Sequence, residues 1–135
     1  MDAVMTPVTT DEESRSAKFT RGDVFAAACP SRSVLTNITS RWGVLVLISL
    51  RDGTLRYGQI RKRIGGVSEK MLAQTLQALE RDGFVRRVSL PVVPPHVEYS
   101  LTPIGQEVAG QVQGLIDWIE DNIAAVMSAR SASPS

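Results

Sequence analysis

Cys29 and His96 are the only cysteine and the only histidine of this 135-residue chain, and they limit the chemistry that its side chains offer. One cysteine makes no internal disulfide and no multi-cysteine zinc site, so we expect no metal centre and no cofactor. The acids are scattered at the ends of predicted helices, and neither a nucleophile–base pair nor a carboxylate cluster is recognisable. These patterns argue against an enzyme.

Cys29 precedes Pro30 at the start of a predicted helix. The positive end of a helix dipole favours a thiolate, so this cysteine is a candidate for reaction with oxidants or electrophiles. The alternative is a small buried hydrophobic residue, which is a common role of free cysteine. Exposure decides between the two, and the sequence does not show it.

Four long polar side chains share one face of a helix predicted to follow the N-cap Ser68 and to end at Asp82-Gly83. They are Lys70, Gln74, Gln77 and Arg81, at the spacing i, i+4, i+7 and i+11. The opposite face is apolar and carries Leu72, Leu76 and Leu79. The polar face contains no acid, so it is free to meet phosphates and base edges.

The charge of the chain is unevenly distributed. Its net charge is +1, but residues 29–102 carry eleven lysines and arginines against five acids. This asymmetry favours a polyanionic partner, and a helix with a polar outer face fits the DNA major groove, which is about 12 Å wide. We therefore expect double-stranded DNA as the partner, with Ser68 and the polar face at the bases. Residues expected to contact phosphates flank that helix: Arg61, Lys62, Arg63, Arg86, Arg87 and His96.

The chain shows no membrane or export signal. Its longest apolar run, Gly43–Leu50, is far shorter than the ~20 residues of a membrane-spanning helix. The first residues lack a basic region followed by an apolar run. We expect a cytoplasmic protein with no membrane partner.

The elements that must position these side chains are predicted as short helices, a hairpin and a long final helix. The short helices cover about 30–38, 41–51 and 56–64, and the second, apolar nearly all round, is expected to be buried. Strands are predicted at Phe84–Leu90 and Val97–Leu101, joined by a projecting proline-rich loop. The fold class is mainly α with a small β-hairpin (α+β), a winged helix-turn-helix over residues 23–128. Residues 1–22 and 129–135 are expected to be disordered tails.

The segment from about 103 to 128 is predicted to be one dimerisation helix that begins with the N-cap Thr102 and Pro103. Its apolar residues recur at close to the 3.5-residue spacing of a helix that packs along a partner helix. Five of them are expected to form a homodimer interface: Val108, Val112, Leu115, Ile119 and Ile123. The alternative is packing of this helix on its own domain.

Several motifs follow one another in a specific order. They are Cys29-Pro30, Arg41-Trp42, Leu55-Arg56-Tyr57, Val67-Ser68-Glu69-Lys70-Met71-Leu72, Leu79-Glu80-Arg81-Asp82-Gly83 and Pro94-Pro95-His96-Val97-Glu98-Tyr99-Ser100-Leu101-Thr102-Pro103. With this spacing, residues 29 to about 120 resemble the HxlR family of bacterial transcriptional regulators. The resemblance implies a homodimer that binds operator DNA, with the first and last helices at the dimer contact. It also implies a sensor cysteine at position 29, as in several members.

The predicted function is therefore sequence-specific DNA binding by a homodimeric regulator, expected to be a repressor. One alternative is a regulator that senses a small molecule in the dimer interface, where Trp42 and Trp118 are candidate lining residues, although core packing is favoured for Trp42. Another is a winged-helix module that binds protein rather than DNA. Salt dependence separates the protein-binding module from a DNA-binding regulator, because counterion release weakens DNA binding steeply as salt rises.

Overall fold

The computed structural model of the chain describes residues 21–132. Its elements are α1 (Pro30–Thr39), α2 (Arg41–Ser49), β1 (Leu55–Arg56), α3 (Tyr57–Arg63), α4 (Glu69–Arg81), β2 (Val85–Leu90), β3 (His96–Leu101), α5 (Pro103–Asp121) and α6 (Ile123–Ala132). The described residues up to Asn37 form one compact unit, and those from Ile38 onward form another. The tail predicted for residues 1–22 falls almost wholly outside the described residues.

The unit that ends at Asn37 consists of turns and most of α1. The Asp23 carboxylate accepts a hydrogen bond from the Phe25 amide at 3.0 Å. The Cys29 amide then donates to the Ala26 carbonyl, and the Cys29 carbonyl accepts from the Arg32 amide, both at 3.0 Å. Cys29 therefore lies directly before the first turn of α1, as the sequence predicts.

The core of the second unit is centred on α2, which confirms the prediction from its apolar pattern. Val46, Leu47 and Leu50 are completely buried. They pack with apolar side chains from α3, α4, the sheet and α5: Ile60, Leu72, Leu76, Leu79, Val85, Tyr99 and Ala109. Full burial of one large apolar side chain contributes roughly 1.5–3 kcal/mol, so this cluster supplies most of the driving force for folding of the unit.

The sheet has three antiparallel strands in the order β1-β3-β2, one more than the predicted hairpin. In β1, Leu55 pairs with Tyr99 and Arg56 with Glu98. Two residues are too few to show an alternating pattern, and β1 leads directly into α3, so the sequence indicated only a helix there. The additional strand β1 fixes the start of α3 against the β2–β3 hairpin, which we call the wing.

The junction between the wing and α5 is tightly packed. The Thr102 side chain accepts a hydrogen bond from the Gly105 amide at 3.1 Å, as expected of an N-cap, and the Thr102 amide donates to the Phe84 carbonyl at 3.0 Å. A Cβ atom added to Gly105 would lie 2.0 Å from the Phe84 carbonyl oxygen. Only a residue without a side chain allows α5 to start this close to β2.

The predicted single C-terminal helix is wrong in one respect, because Asn122 divides it into α5 and α6. Asn122 has non-helical backbone angles of φ −117° and ψ 12°, and its side-chain amide donates to the Trp118 carbonyl at 2.8 Å. The same carbonyl also accepts from the Asn122 backbone amide at 3.0 Å. Asparagine side chains that bond to nearby backbone groups favour helix ends over helix interiors, in keeping with a break at this position. Helix α6 also reaches Ala132, so residues 129–132 are helical rather than part of the predicted tail, and 133–135 lie outside the described residues.

Candidate nucleic-acid interface

Helices α3 and α4 are joined by a short turn and form a helix-turn-helix. Gly66 has a φ of +89°, which is accessible to glycine without strain, and it places the turn between the two helices. The Ser68 hydroxyl accepts from the Met71 amide at 3.1 Å and is the predicted N-cap of α4. The Tyr57 hydroxyl donates to the Glu69 carbonyl at 2.8 Å, so a side chain of α3 fixes the first turn of α4.

The outer face of α4, defined as Lys70, Gln74, Gln77 and Arg81, is exposed along its whole length. At 1.5 Å per residue, it runs for about 16 Å along the helix. Within residues 21–132 none of these side chains makes a hydrogen bond or an ion pair, whereas Leu72, Leu76 and Leu79 on the opposite side are buried. This face therefore presents donor groups that the described part of the protein leaves available for a ligand.

The three consecutive basic residues at the end of α3 have different surroundings. Arg61 donates to the Val67 carbonyl at 3.4 Å and lies 3.8 Å from the Glu69 carboxylate. Arg63 donates to the Ser49 carbonyl at 3.3 Å. Lys62 is exposed and has no such partner in the described range. Of the three expected phosphate contacts, Arg61 and Arg63 are thus partly used to hold α3 in place.

The two adjacent arginines of β2 emerge on opposite faces of the wing. Arg87 pairs with Tyr99 and Arg86 with Ser100. Since side chains alternate along a strand, Arg87 shares the face of the buried Tyr99, which is packed toward α4, and Arg86 lies on the other face. Both arginines are predicted from the sequence as phosphate contacts, although the buried Val85 next to them distinguishes their two faces.

His96 does not lie in the loop where it was expected. It is the first residue of β3, pairs with Leu90, and its side chain is only 23% exposed, with Nε2 at 3.6 Å from a Glu98 carboxylate oxygen. The surrounding prolines indicated a loop, but strand pairing extends one residue further than predicted. His96 therefore faces an acid in β3 and does not project from the loop between the strands. The phosphate contact predicted for it assumed a position in that loop.

The predicted dimer residues fall into two groups. Val112 is buried in the core of the chain, which corrects its assignment to the interface, and Val108 is partly buried against the same core, so its place at an interface stays a prediction. The remaining three are exposed, and together with two neighbours they form what we call the C-terminal apolar surface: Leu115, Trp118, Ile119, Ile123 and Met127. The sequence spacing puts all five predicted residues on one face of the helix. Only the packed structure shows that this face leaves the core between Val112 and Leu115.

Cys29 is partly exposed, which removes the alternative of a fully buried hydrophobic residue. A hydrogen bond from the Ser31 side chain, aided by bonds from the backbone, lowers the pKa of the Cys29 thiol below its usual value. A lowered pKa increases the thiolate fraction at neutral pH and thus the reactivity toward oxidants.

Two further observations limit the chemistry of the described residues. Nowhere in residues 21–132 do three histidine, cysteine, aspartate or glutamate side chains come together as they would around a metal ion. Across the same range, no helix has both the length and the apolar character that crossing a membrane requires.

A helix-turn-helix with an exposed polar second helix, followed by an antiparallel wing, defines a winged helix-turn-helix DNA-binding protein. The chain belongs to the HxlR-like helix-turn-helix family, whose model matches residues 37–127. This confirms the resemblance seen in the sequence, and it makes the chain a transcriptional regulator of the helix-turn-helix type.

Known relatives agree with this assignment. The HTH-type transcriptional regulator YtfH of Escherichia coli (strain K12) is 59% identical over 117 residues, which are 87% of this chain and 93% of that protein. The solved structure of the transcriptional regulator ytfH from Salmonella typhimurium is 62% identical, covers 82% of this chain and 99% of its own, and superposes with a TM-score of 0.78. The redox regulator HypR in its oxidized form is 34% identical over 70% of this chain and 97% of its own, with a TM-score of 0.64.

Proposed function

We propose that this regulator is a homodimeric repressor that recognises operator DNA through the outer face of α4. The observation that carries the proposal is the row of exposed donor side chains on this face, which contains no acid and has no partner among the described residues. The row is about 16 Å long, which is roughly the height of five stacked base pairs. Glutamine makes bidentate contacts to adenine, and lysine or arginine to guanine, so this row suits base recognition.

A second copy of the chain is the proposed occupant of the C-terminal apolar surface. Leu115 and Trp118 are each 57% exposed, and Ile119, Ile123 and Met127 are between 41% and 47% exposed. Such a group of large apolar side chains is unusual on a monomer and typical of an interface. A two-fold dimer also provides two recognition helices for two half-sites about one DNA turn apart.

Repression is the simplest action of such a dimer at a promoter, because the bound protein occupies the DNA that the polymerase needs. The test is binding to the DNA upstream of its own gene in about 150 mM salt with excess random DNA, followed by in vitro transcription of the same fragment. We expect specific binding and reduced transcription. Increased transcription would show an activator instead, and binding that is equally strong to random DNA would refute operator recognition.

Gln74→Ala tests the role of the outer face, and Gln106→Ala is the matched control. Both glutamines are exposed on helices, but Gln106 lies on α5. Loss of one bidentate base contact weakens specific binding by about ten- to hundredfold, so we expect this loss for Gln74→Ala alone. Equal effects of the two variants would contradict the proposal, and circular dichroism checks that both remain folded.

We further propose that Cys29 makes the regulator responsive to oxidants. Support comes from its partial exposure, the lowered pKa of its thiol and the similarity to the redox regulator HypR. Cys29 is the only cysteine, so an oxidant such as diamide takes two electrons and two protons to join two chains through a disulfide, or to join one chain to a small thiol. An electrophile instead alkylates the Cys29 thiolate. We expect diamide to release DNA and a reductant to restore binding. The Cys29→Ser variant should not respond, and an identical response of that variant would exclude this cysteine as the sensor.

A further inference from the structure

A depression of about 400 Å³ lies between α4 and the wing. It is lined by Ala73, Leu76, Gln77, Glu80, Arg87 and Tyr99. Among the α4 residues, Ala73 and Glu80 occupy the flank of the helix between the buried Leu76 and the outer face. Gln77 belongs to both the depression and the outer face, so the depression opens directly beside the surface proposed to read bases.

Two of the lining residues carry charge, and they have opposite signs. Arg87 enters the depression from β2 and Glu80 from α4, yet no ion pair between them is formed in the described structure. The guanidinium group therefore remains available for an external anion. Arg86, on the opposite face of the wing, pairs with Ser100 and does not line the depression.

The geometry of a helix in the major groove specifies what lies over this flank. The groove is about 12 Å wide and is bordered on each side by a sugar–phosphate backbone. When the outer face of α4 points at the bases, one of these backbones must pass along the flank that the wing covers. The anion that reaches Arg87 is then a backbone phosphate.

We propose that Arg87 binds one phosphate group of this strand, beside the base-reading Gln77, and that Glu80 disfavours strands whose phosphates lie elsewhere in the depression. Arg86 takes no part in this contact. The arrangement rests on the proposed DNA-binding function, and it adds a phosphate site that fixes the register of the protein on the duplex. Glu80 acts as a specificity-determining residue, because its carboxylate repels a DNA phosphate. Any alignment of the DNA in which Arg87 does not offset this repulsion is bound more weakly.

The test measures the salt dependence of binding to a duplex that the wild-type protein has selected from a random-sequence library. Each phosphate contact contributes about 0.9 to the slope of log K against log salt concentration, and a homodimer carries two copies of Arg87, so Arg87→Ala should reduce the slope by about two. Arg86→Ala should leave it close to the wild-type value. Arg87→Lys should restore the slope, because a lysine supplies the same charge to a phosphate. Equal reductions for Arg86→Ala and Arg87→Ala would overturn the assignment.

The role of Glu80 is tested separately by Glu80→Gln. We expect affinity for random DNA to rise by about two- to fivefold, the effect of one surface charge, while affinity for the selected duplex changes less. An equal rise for both kinds of DNA would refute the role of Glu80 in specificity. A wild-type protein that selects no sequence from the library would refute the proposed function itself, an outcome distinct from either of these.

Discussion

Substitution of Gly105 by alanine is expected to destabilise the protein, although alanine is the better helix former. The new Cβ would lie 2.0 Å from the Phe84 carbonyl oxygen and 3.0 Å from the carbonyl carbon. Nonbonded carbon atoms are most favourable at about 3.5–4.0 Å, so α5 and β2 must separate by more than about 1 Å. That shift stretches the hydrogen bond from the Thr102 amide to the Phe84 carbonyl, now 3.0 Å long.

The expected change in the free energy of unfolding of Gly105→Ala has three contributions. Overpacking costs about 1–3 kcal/mol, each hydrogen bond lost at the start of α5 about 0.5–1.5 kcal/mol, and the helix propensity of alanine returns about 1 kcal/mol. With the hydrogen bond from the Thr102 amide lost, the net loss is about 0.5–3.5 kcal/mol of a total stability of roughly 5–15 kcal/mol.

Urea unfolding is the assay, because a loss of about 3 kcal/mol lowers the midpoint by about 1–3 M at the slopes usual for small proteins. Gly110→Ala is the matched control on the same helix. Nothing lies within 4 Å of its added Cβ, so we expect stabilisation by about 0.5–1 kcal/mol. A midpoint for Gly105→Ala at or above that of the wild type would refute the steric reasoning.

Three other predictions concern the recognition helix, the dimer and the thiol. Tyr57→Phe removes the hydrogen bond to the Glu69 carbonyl, so unfolding experiments should show a loss of about 0.5–1.5 kcal/mol. Leu115→Asp places a charge on the C-terminal apolar surface, and analytical ultracentrifugation at micromolar concentration should change from dimer to monomer; a wild-type monomer would contradict the proposed interface. Ser31→Ala removes the main cause of the lowered Cys29 pKa. Because the thiolate forms at lower pH when its pKa is lower, the pH midpoint of alkylation should lie below that of a free thiol and rise in this variant.

Helix α4 could be predicted from the sequence because its determinants are local. The N-cap Ser68 and the leucines at helical spacing are decided within one stretch of chain, and the structure confirms both. The face of the wing on which each of Arg86 and Arg87 lies follows from the alternation of side chains along β2. The buried Val85 beside them indicated which of the two faces α4, but this signal follows only once the strand is known to pack on one side.

Other features could not be predicted because they depend on packing between distant segments. β1 exists because β3 is next to it, and its two residues have no pattern of their own. The apolar spacing from Val108 to Ile123 continues across Asn122, so neither the helix break nor the point where the core ends is visible in it. The position of His96 in β3 likewise follows from its pairing with Leu90.

The separation between the outer face of α4 and the core has an evolutionary consequence. Lys70, Gln74, Gln77 and Arg81 are exposed and make no bonds within the described residues, so exchanging them changes stability by only about 0.5 kcal/mol. Under the proposed function, a duplicated copy of the gene can therefore acquire a new operator through these four positions without passing through an unstable intermediate. The scaffold of buried leucines and helix caps stays constant while the set of regulated genes diverges.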